Sequence, residues 1–204
     1  IATQPMFYQD ITLLTYPEIS PYFIWSKLYT QLHIALADLH NKQGIDSIGV
    51  SFPNYKFGKK GEKTLATLGD KLRIFSPTDA DLKALNIDQW LERLTDYLHI
   101  KSIKPVPNDT GYVTVRRYRG KSLERKAKDY AKYKGISFED AMAFCLANRT
   151  ASDSIYPFIQ LTSQDNGHEY RLSILQEPAE QPMIGSLNTY GINNTSHHVT
   201  VPQW

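Results

Sequence analysis

A few side chains of this 204-residue chain could hold or move a proton. His33 stands on a stretch whose apolar positions, Leu28, Leu32, Ala35, Leu36 and Leu39, recur at helical spacing. It lies beside that stripe, with Tyr29 one turn earlier, so its imidazole can meet solvent while the helix stays packed. An unperturbed imidazole titrates near neutrality and can give or take a proton at cytosolic pH. Taken alone, a histidine on an amphipathic helix is more often structural. Ser163 ends an expected strand just before a tight turn, where hydroxyls tend to be presented to ligands; a turn serine bonding its own backbone is the simpler role. Tyr170 and Tyr190 read as ordinary strand aromatics. His197 and His198 are adjacent, so on a strand they point to opposite faces and make a poor metal site. No P-loop, dinucleotide glycine fingerprint, HExxH motif or nucleophile-elbow serine is present. The lone Cys145 excludes an intramolecular disulfide and a cysteine-cluster zinc site.

The charge is unevenly spread. The formal net charge is only +2, yet residues 116–134, RRYRGKSLERKAKDYAKYK, hold nine Lys or Arg against two acids, a local net of +7. The rest of the chain therefore sums to −5. A basic block on a mildly acidic body points to a surface that faces a polyanion, although a solvated helix face with ion pairs is the plainer account. The hydrophobic fraction of 41% is that of a globular protein. No run approaches the roughly 20 apolar residues that cross a bilayer, and no signal peptide is legible at Ile1. A reduced, soluble, cytoplasmic protein with no membrane partner is expected.

The elements that must position these groups can be traced along the chain. Residues 6–14 read as a strand. Ser20 and Pro21 cap a helix that Asn41 and Gly44 stop. SIGVSF (47–52) and KLRIFS (71–76) read as strands, and the Gly/Lys-rich stretch 55–64 between them as a loop with no assigned role. Thr78 and Asp79 open a helical region carrying Leu82, Leu85, Trp90, Leu91, Leu94 and Leu98. IKSIKPVP (100–107) reads as an edge strand or linker, because its prolines cannot donate to a ladder. The order β-α-β-β-α-β is ferredoxin-like, a fold that by itself proves no function. GYVTVRRYR (111–119) is a further strand. The basic stretch from Ser122 to Lys134 precedes a helix stop at Gly135. Ser137 and Asp140 resemble a capping box for a helix through Asn148. PFIQLTS and HEYRLSIL flank Asn166-Gly167, a hairpin signal. Residues 176–185 read as a polar connection, and SLNTYGI and HHVTVPQW as short strands or extended tail. An α+β protein is expected. Residues 1–105 are expected to form a ferredoxin-like domain with His33, and 106–204 a smaller α+β domain that carries the basic helix and hairpin.

Taken together, the strand FYQDITL, the helix KLYTQLHIAL with His33, IGVSFP (48–53), LGDKLRIFSP (68–77), RRYRGKS before a basic helix, PFIQLTSQDNGHEYRL, NTYGIN and the final VPQW resemble the type I-F CRISPR repeat-processing endoribonucleases over nearly the whole chain. The resemblance implies an enzyme that binds the stem-loop of each CRISPR repeat transcript through its basic helix and cuts at the 3′ base of the stem. The product stays bound, and the protein joins the other subunits of the type I-F surveillance complex. The implied cleavage uses no metal or cofactor: the substrate's own 2′-hydroxyl attacks the adjacent phosphate, leaving a cyclic phosphate and a 5′-hydroxyl.

The same resemblance implies roles for individual residues. His33 falls on the family's general base, Ser163 on the serine that holds the attacking ribose, and Tyr190 on the tyrosine that orients the histidine. Tyr170 falls where the family has a phenylalanine that stacks on the terminal base pair, a role an aromatic face can still fill. Arg117 matches a base-reading arginine, and Arg119 falls where the best-known members carry glutamine. RNA contacts are also expected from Arg116 and Lys121, and from Arg125, Lys126, Lys128, Lys132 and Lys134 of the basic helix. The family is mostly arginine in this helix. Lysine is a point charge without the planar fork of arginine, so phosphate contacts are expected here with less base reading. Two other classes remain at this point: a non-catalytic RNA-hairpin-binding subunit of a ribonucleoprotein, and a general ferredoxin-like nucleic-acid binder.

Overall fold

The computed structural model describes residues 4–121, 123–148, 156–194 and 196–204. Strand β1 (Phe7–Leu13) leads to the long helix α1 (Pro21–Gln43). The Ser20 side chain accepts a hydrogen bond from the Tyr22 N–H, Pro21 occupies the first turn, and Gly44 ends the helix at φ 66°. Strand β2 (Gly49–Ser51) follows. Next comes a ribbon of β3 (Lys56–Lys60) and β4 (Lys63–Thr67), then β5 (Lys71–Ser76). The stretch 55–64, expected as a loop, is therefore mostly a two-stranded antiparallel ribbon. Its polar strands show no apolar alternation, which is why the sequence pattern hides them.

The expected second helical region is broken into α2 (Asp79–Leu85), α3 (Ile87–Trp90) and a 3₁₀ turn at Glu92–Leu94. Asn86 interrupts it at φ 47°, a left-handed backbone position that asparagine tolerates. Leu98 then begins β6 (Leu98–Ile100), and β7 (Lys104–Pro105) adds a short edge pairing to β1. The main sheet has the order β2-β5-β1-β6, with antiparallel pairing throughout. With the ribbon set aside, this is the ferredoxin-like arrangement expected from the element order.

Strand β8 (Gly111–Tyr118), the hairpin β9 (Phe158–Thr162) and β10 (Glu169–Ala179), and β11 (Thr200–Gln203) form a second sheet, ordered β11-β8-β10-β9. β10 runs through Gln176–Ala179, so the first part of the expected polar connection is strand. There Pro178 lies opposite Val113. Both sheets feed one core, in which Ile11, Leu28, Phe75 and Ile74 share a cluster with Val113, Ile159, Leu172 and Val201. Cross-links reinforce this: the Gln176 side chain pairs with both backbone groups of Phe52, and the Tyr55 hydroxyl donates to the Ile174 carbonyl at 2.8 Å.

The chain falls into two compact units. One comprises residues 1–118 with 156–204, the other residues 119–155. These divisions do not coincide with the 105/106 boundary expected from sequence. The smaller unit holds α4 (Leu123–Lys134) and α5 (Phe138–Ala147). Ala127 and Ala141 are buried, and the Tyr130 and Phe144 rings stack with centroids 4.5 Å apart. Gly135 turns the chain at φ 66°, and Ser137 caps α5 by accepting from the Asp140 N–H. Ser122, the expected start of the basic stretch, lies outside the described residues. No helix is long and apolar enough to cross a membrane among the described residues.

Candidate active site

His33 sits in the second half of α1, beside the buried Leu32, Ala35 and Leu36. Its Nδ1 lies 2.9 Å from the Thr189 carbonyl oxygen. A carbonyl oxygen can only accept, so this contact assigns the proton to Nδ1 and leaves the lone pair of a neutral imidazole on Nε2. The ring stacks face to face on Tyr190, with centroids 4.0 Å apart and planes within 2°. Both of these partners come from one short loop.

That loop is held by its own sequence. The Asn188 side-chain oxygen accepts from the Tyr190 and Ile192 N–H groups, which closes an Asx-type turn. Gly191 takes φ 73° and its carbonyl accepts from the Val50 N–H on β2. Its missing side chain matters as well, because a Cβ there would meet Val50 Cγ1 at 3.0 Å. Asn193 ties the far side to β8: its N–H donates to the Val115 carbonyl, and its own carbonyl accepts from the Arg117 N–H. Finally, Tyr29, fully buried one turn before His33, donates its hydroxyl to the Tyr190 carbonyl at 2.7 Å. Burial, and secondarily the nearby Tyr190 hydroxyl, push the Tyr29 phenol well above its ordinary range.

The hairpin supplies the opposite wall. Thr162 pairs with Glu169, and residues 163–168 form the connecting loop, with Gly167 at φ 68°. The Ser163 N–H donates to the His168 carbonyl and its carbonyl accepts from the Gly167 N–H. Its backbone is therefore engaged in the turn. Tyr170 reaches from β10 to place its hydroxyl 2.7 Å from that of Tyr190. Burial, and after it this hydrogen bond, push the Tyr170 phenol up to about 12. The Arg117 guanidinium lies 5.7 Å from the centre of the Tyr170 ring, within cation–π range. His33, Ser163, Tyr170 and Tyr190 line one cleft of about 230 Å³ together with Thr30 and Gln164. Four residues spread over more than 150 positions of sequence thus converge.

The other expected RNA contacts are divided by strand geometry and by unit. Arg116 and Arg117 are neighbours on β8 and so point to opposite faces. Arg117 shares a face with Ile174, its cross-strand partner. Arg116 shares the other face with Leu175, where its guanidinium lies 3.5 Å from Glu177. Arg119 and Lys121 belong to the smaller unit and are exposed. Lys121 pairs with Asp129 at 2.6 Å, a contact that lowers the Asp129 carboxyl below its usual range. Lys128 pairs with Glu124 at 3.1 Å, and Lys134 lies over the Tyr133 ring. Arg125, Lys128 and Lys132 recur at helical spacing along one side of α4, opposite the side that Ala127 buries. Lys126 is half-buried on the same helix. Among the described residues, no group of three or more His, Cys, Asp or Glu is arranged to hold a metal ion.

Sequence reasoning missed three contributors. Thr189 acts through a backbone carbonyl, which no side-chain pattern reveals. Asn188 could have been found by the Asx-turn signal of Asn three residues before Gly. Tyr29 was visible beside His33, but its hydrogen-bond partner lies 161 positions away.

Comparison with known proteins adds an independent line. The chain is 36% identical over 191 residues to the CRISPR-associated endonuclease Cas6/Csy4 of Pseudomonas aeruginosa (strain UCBPP-PA14), covering 91% of this chain and 94% of that protein. It is 28% identical over 196 residues to the protein of the same name from Escherichia coli (strain UTI89 / UPEC), covering 96% and 97%. Among solved structures it is similar to "CRISPR associated protein Cas6", at 13% identity and a TM-score of 0.37 over 98% of this chain and 99% of that one. It is also similar to "An RAMP protein binding different RNA substrates", at 12% identity and a TM-score of 0.35 over the same shares. The family model described as "CRISPR-associated protein (Cas_Csy4)" matches residues 8–204, and the chain belongs to that family.

Proposed function

We propose that this protein is the endoribonuclease that processes CRISPR repeat transcripts, cutting at the 3′ base of the repeat stem-loop without a metal. The observation that carries the reading is the contact of His33 Nδ1 with the Thr189 carbonyl oxygen at 2.9 Å, beside a cleft shared with Ser163: an imidazole that donates there keeps its lone pair on Nε2. Nε2 removes the proton of the substrate's 2′-hydroxyl. The 2′-oxygen then bonds to the adjacent phosphorus while the bond from phosphorus to the 5′-oxygen breaks. A 2′,3′-cyclic phosphate forms, and the leaving oxygen takes a proton from water to become a 5′-hydroxyl. A positioned base and in-line geometry together supply several orders of magnitude in rate.

Ser163 holds the attacking ribose through its hydroxyl, and Tyr190 fixes the imidazole plane by stacking. Tyr170, backed by Arg117, offers an aromatic face to the last base pair of the stem. Arg116, Arg119, Lys121 and the α4 side chains Arg125, Lys126, Lys128, Lys132 and Lys134 contact the RNA, chiefly its phosphates. After cleavage the protein stays on its product, in the cytoplasm, as a subunit of the type I-F surveillance complex. The names of the relatives support the substrate class, and the local charge of α4 supports the polyanion.

The test is cleavage of a repeat hairpin in EDTA by the wild-type protein and by His33→Ala. The expected result is full wild-type cleavage, a product ending in a cyclic phosphate, and loss of cleavage with hairpin binding retained in the variant. Cleavage by His33→Ala, or dependence on an added metal, overturns the mechanism. Tight binding by the wild type with the RNA left intact over hours would favour a binding subunit instead.

A further inference from the structure

The β3–β4 ribbon has no part in the site described above, and its chemistry is unusual. It projects four lysines, Lys56, Lys59, Lys60 and Lys63, against the single acid Glu62 at its tip. A two-stranded ribbon is marginally stable in water by itself. This one is held near its base, where the Phe57 ring stacks on Tyr156 with centroids 4.4 Å apart. Lys60 and Lys63 face each other directly across the strands, an arrangement of like charges that destabilises a ribbon. Among the described residues none of the four lysines has an ion-pair partner, whereas Lys121 and Lys128 of the smaller unit are both neutralised by carboxylates. The pleat and the register place Lys56, Lys60 and Lys63 on one face with the exposed Leu65.

The ribbon also stands at the end of a seam that begins at the cleft. Helix α1 and strand β9 run side by side in the same direction. His33 and Ser163 line the cavity at one end. Tyr22, Phe158 and Thr67 of the ribbon's own β4 line an apolar cavity of about 130 Å³ at the other. From His33 back to Tyr22 is eleven residues of helix, about 16 Å. Tyr22 is 56% exposed and its ring stacks on Phe158, which in turn carries the Arg171 guanidinium 4.5 Å from its centre. An exposed tyrosine, stacked on a half-buried phenylalanine that carries a guanidinium and set beside an unneutralised lysine ribbon, fits the pairing of aromatic platform and cations that holds single-stranded nucleic acid.

We infer that the α1–β9 seam and the β3–β4 ribbon bind the single strand of RNA that continues 3′ of the scissile phosphate. The inference rests on the proposed function: with the stem held on the Tyr170 and Arg117 side of the cleft, the strand beyond the cut leaves on the other side, along the seam. Phosphates of that strand are the counter-charge for Lys56, Lys60 and Lys63, and bases stack at Tyr22. The protein thereby grips both products of the cut, but the downstream one only through a weak, salt-sensitive surface from which it is shed.

The experiment uses a CRISPR repeat hairpin from the genome encoding this chain, blocked by a 2′-deoxy nucleotide at the cut. It is prepared alone, with a 3′ single-stranded flank, and with a 5′ flank. Binding is measured for the wild type, for the Lys56→Ala/Lys60→Ala/Lys63→Ala variant and for the matching triple Lys→Arg variant. The wild type is expected to bind the 3′-flanked RNA about 10-fold more tightly than the hairpin alone. The alanine variant is expected to lose that gain, with its affinity for the hairpin alone unchanged, and the arginine variant to keep it. The salt slope for the 3′-flanked RNA should fall by about 2, at roughly 0.7 per lost single-strand phosphate contact. The inference is overturned if the wild type gains nothing from the 3′ flank, if only the 5′ flank helps, or if the gain survives in the alanine variant. Equal weakening of the hairpin alone also overturns it, since the ribbon would then serve the stem. Failure of the wild type to bind the hairpin alone is a different result, and overturns the proposed function itself.

Discussion

Replacing Tyr29 by phenylalanine tests whether the imidazole works because of how its loop is hung. The ring of Tyr29 is fully buried and stacks near Phe52, so the substitution keeps the packing and deletes one oxygen. The hydroxyl donates to the Tyr190 carbonyl at 2.7 Å. Its loss removes a buried hydrogen bond and strips the carbonyl of that partner, which together cost about 1–3 kcal/mol. In a chain of this size each kcal/mol lowers the melting temperature by about 2–4 °C. The same carbonyl belongs to the residue whose ring stacks on His33, and the preceding carbonyl fixes the imidazole proton. A shift of the loop by about 1 Å is enough to lower a positioned reaction by about 100-fold. Single-turnover cleavage at saturating enzyme should therefore slow by about 10- to 100-fold, while the dissociation constant for the hairpin should stay within about twofold, because the proposed phosphate contacts lie elsewhere. Urea denaturation of the same variant reports the stability loss separately. A cleavage rate within twofold of wild type, in a variant shown to be destabilised, would refute the link between this hydroxyl and the chemistry.

Other substitutions probe separate parts of the structure. Asp10→Ala leaves the buried Arg73 without the carboxylate that now holds Nε at 2.7 Å and Nη2 at 3.0 Å; a loss of about 3–5 kcal/mol in urea denaturation is expected, and a loss below 1 kcal/mol would contradict it. Gly191→Ala forces a side chain into a backbone at φ 73° and against Val50; cleavage and stability should fall together, and an unchanged melting temperature would contradict the close approach. Arg117→Ala is expected to weaken hairpin binding by about 1–3 kcal/mol and to relax preference at one base pair, and equal losses across all stem sequences would reduce it to a phosphate contact. Folding holds the Tyr170 proton up to about 12, above the ordinary phenol value of 10.0. Between those values the folded state binds more protons than the unfolded one, so stability is full below about pH 10 and falls as pH rises toward 12. Tyr170→Phe should flatten that fall in alkaline melting curves, and an equally steep fall would assign it to other groups.

Much of the scaffold was legible because local chemistry and tertiary need agree. The Ser20–Pro21 start, the Gly44 stop and the apolar stripe between them mark α1, and the Ser137 cap marks α5. The ribbon was not legible, because Lys56–Lys60 carries neither apolar alternation nor β-branched residues, and its Phe57 ring meets Tyr156, about 100 positions away in sequence. The break at Asn86 was hidden because Leu82, Leu85, Trp90 and Leu91 keep a helical rhythm across it. In β10, Gln176–Ala179 looks like a connection because of its proline, yet β8 recruits it into the sheet. For the site, Ser163 and Tyr190 were picked out by family resemblance, since no local spacing joins residues so far apart. The Thr189 carbonyl was beyond any side-chain pattern.

The contact between residues 33 and 189 has a consequence for biosynthesis. Helix α1, with its start at Ser20 and its stop at Gly44, is translated well before the loop that it packs against. The acceptor that decides which nitrogen of its imidazole keeps the proton is translated 156 positions later. Under the proposed mechanism, a partly synthesised chain that already carries its basic residues still lacks the acceptor that sets the His33 tautomer. The proposed cleavage therefore waits until residues 188–193 have docked on β2 and β8, so the contact that orients the base also ties its use to an assembled fold.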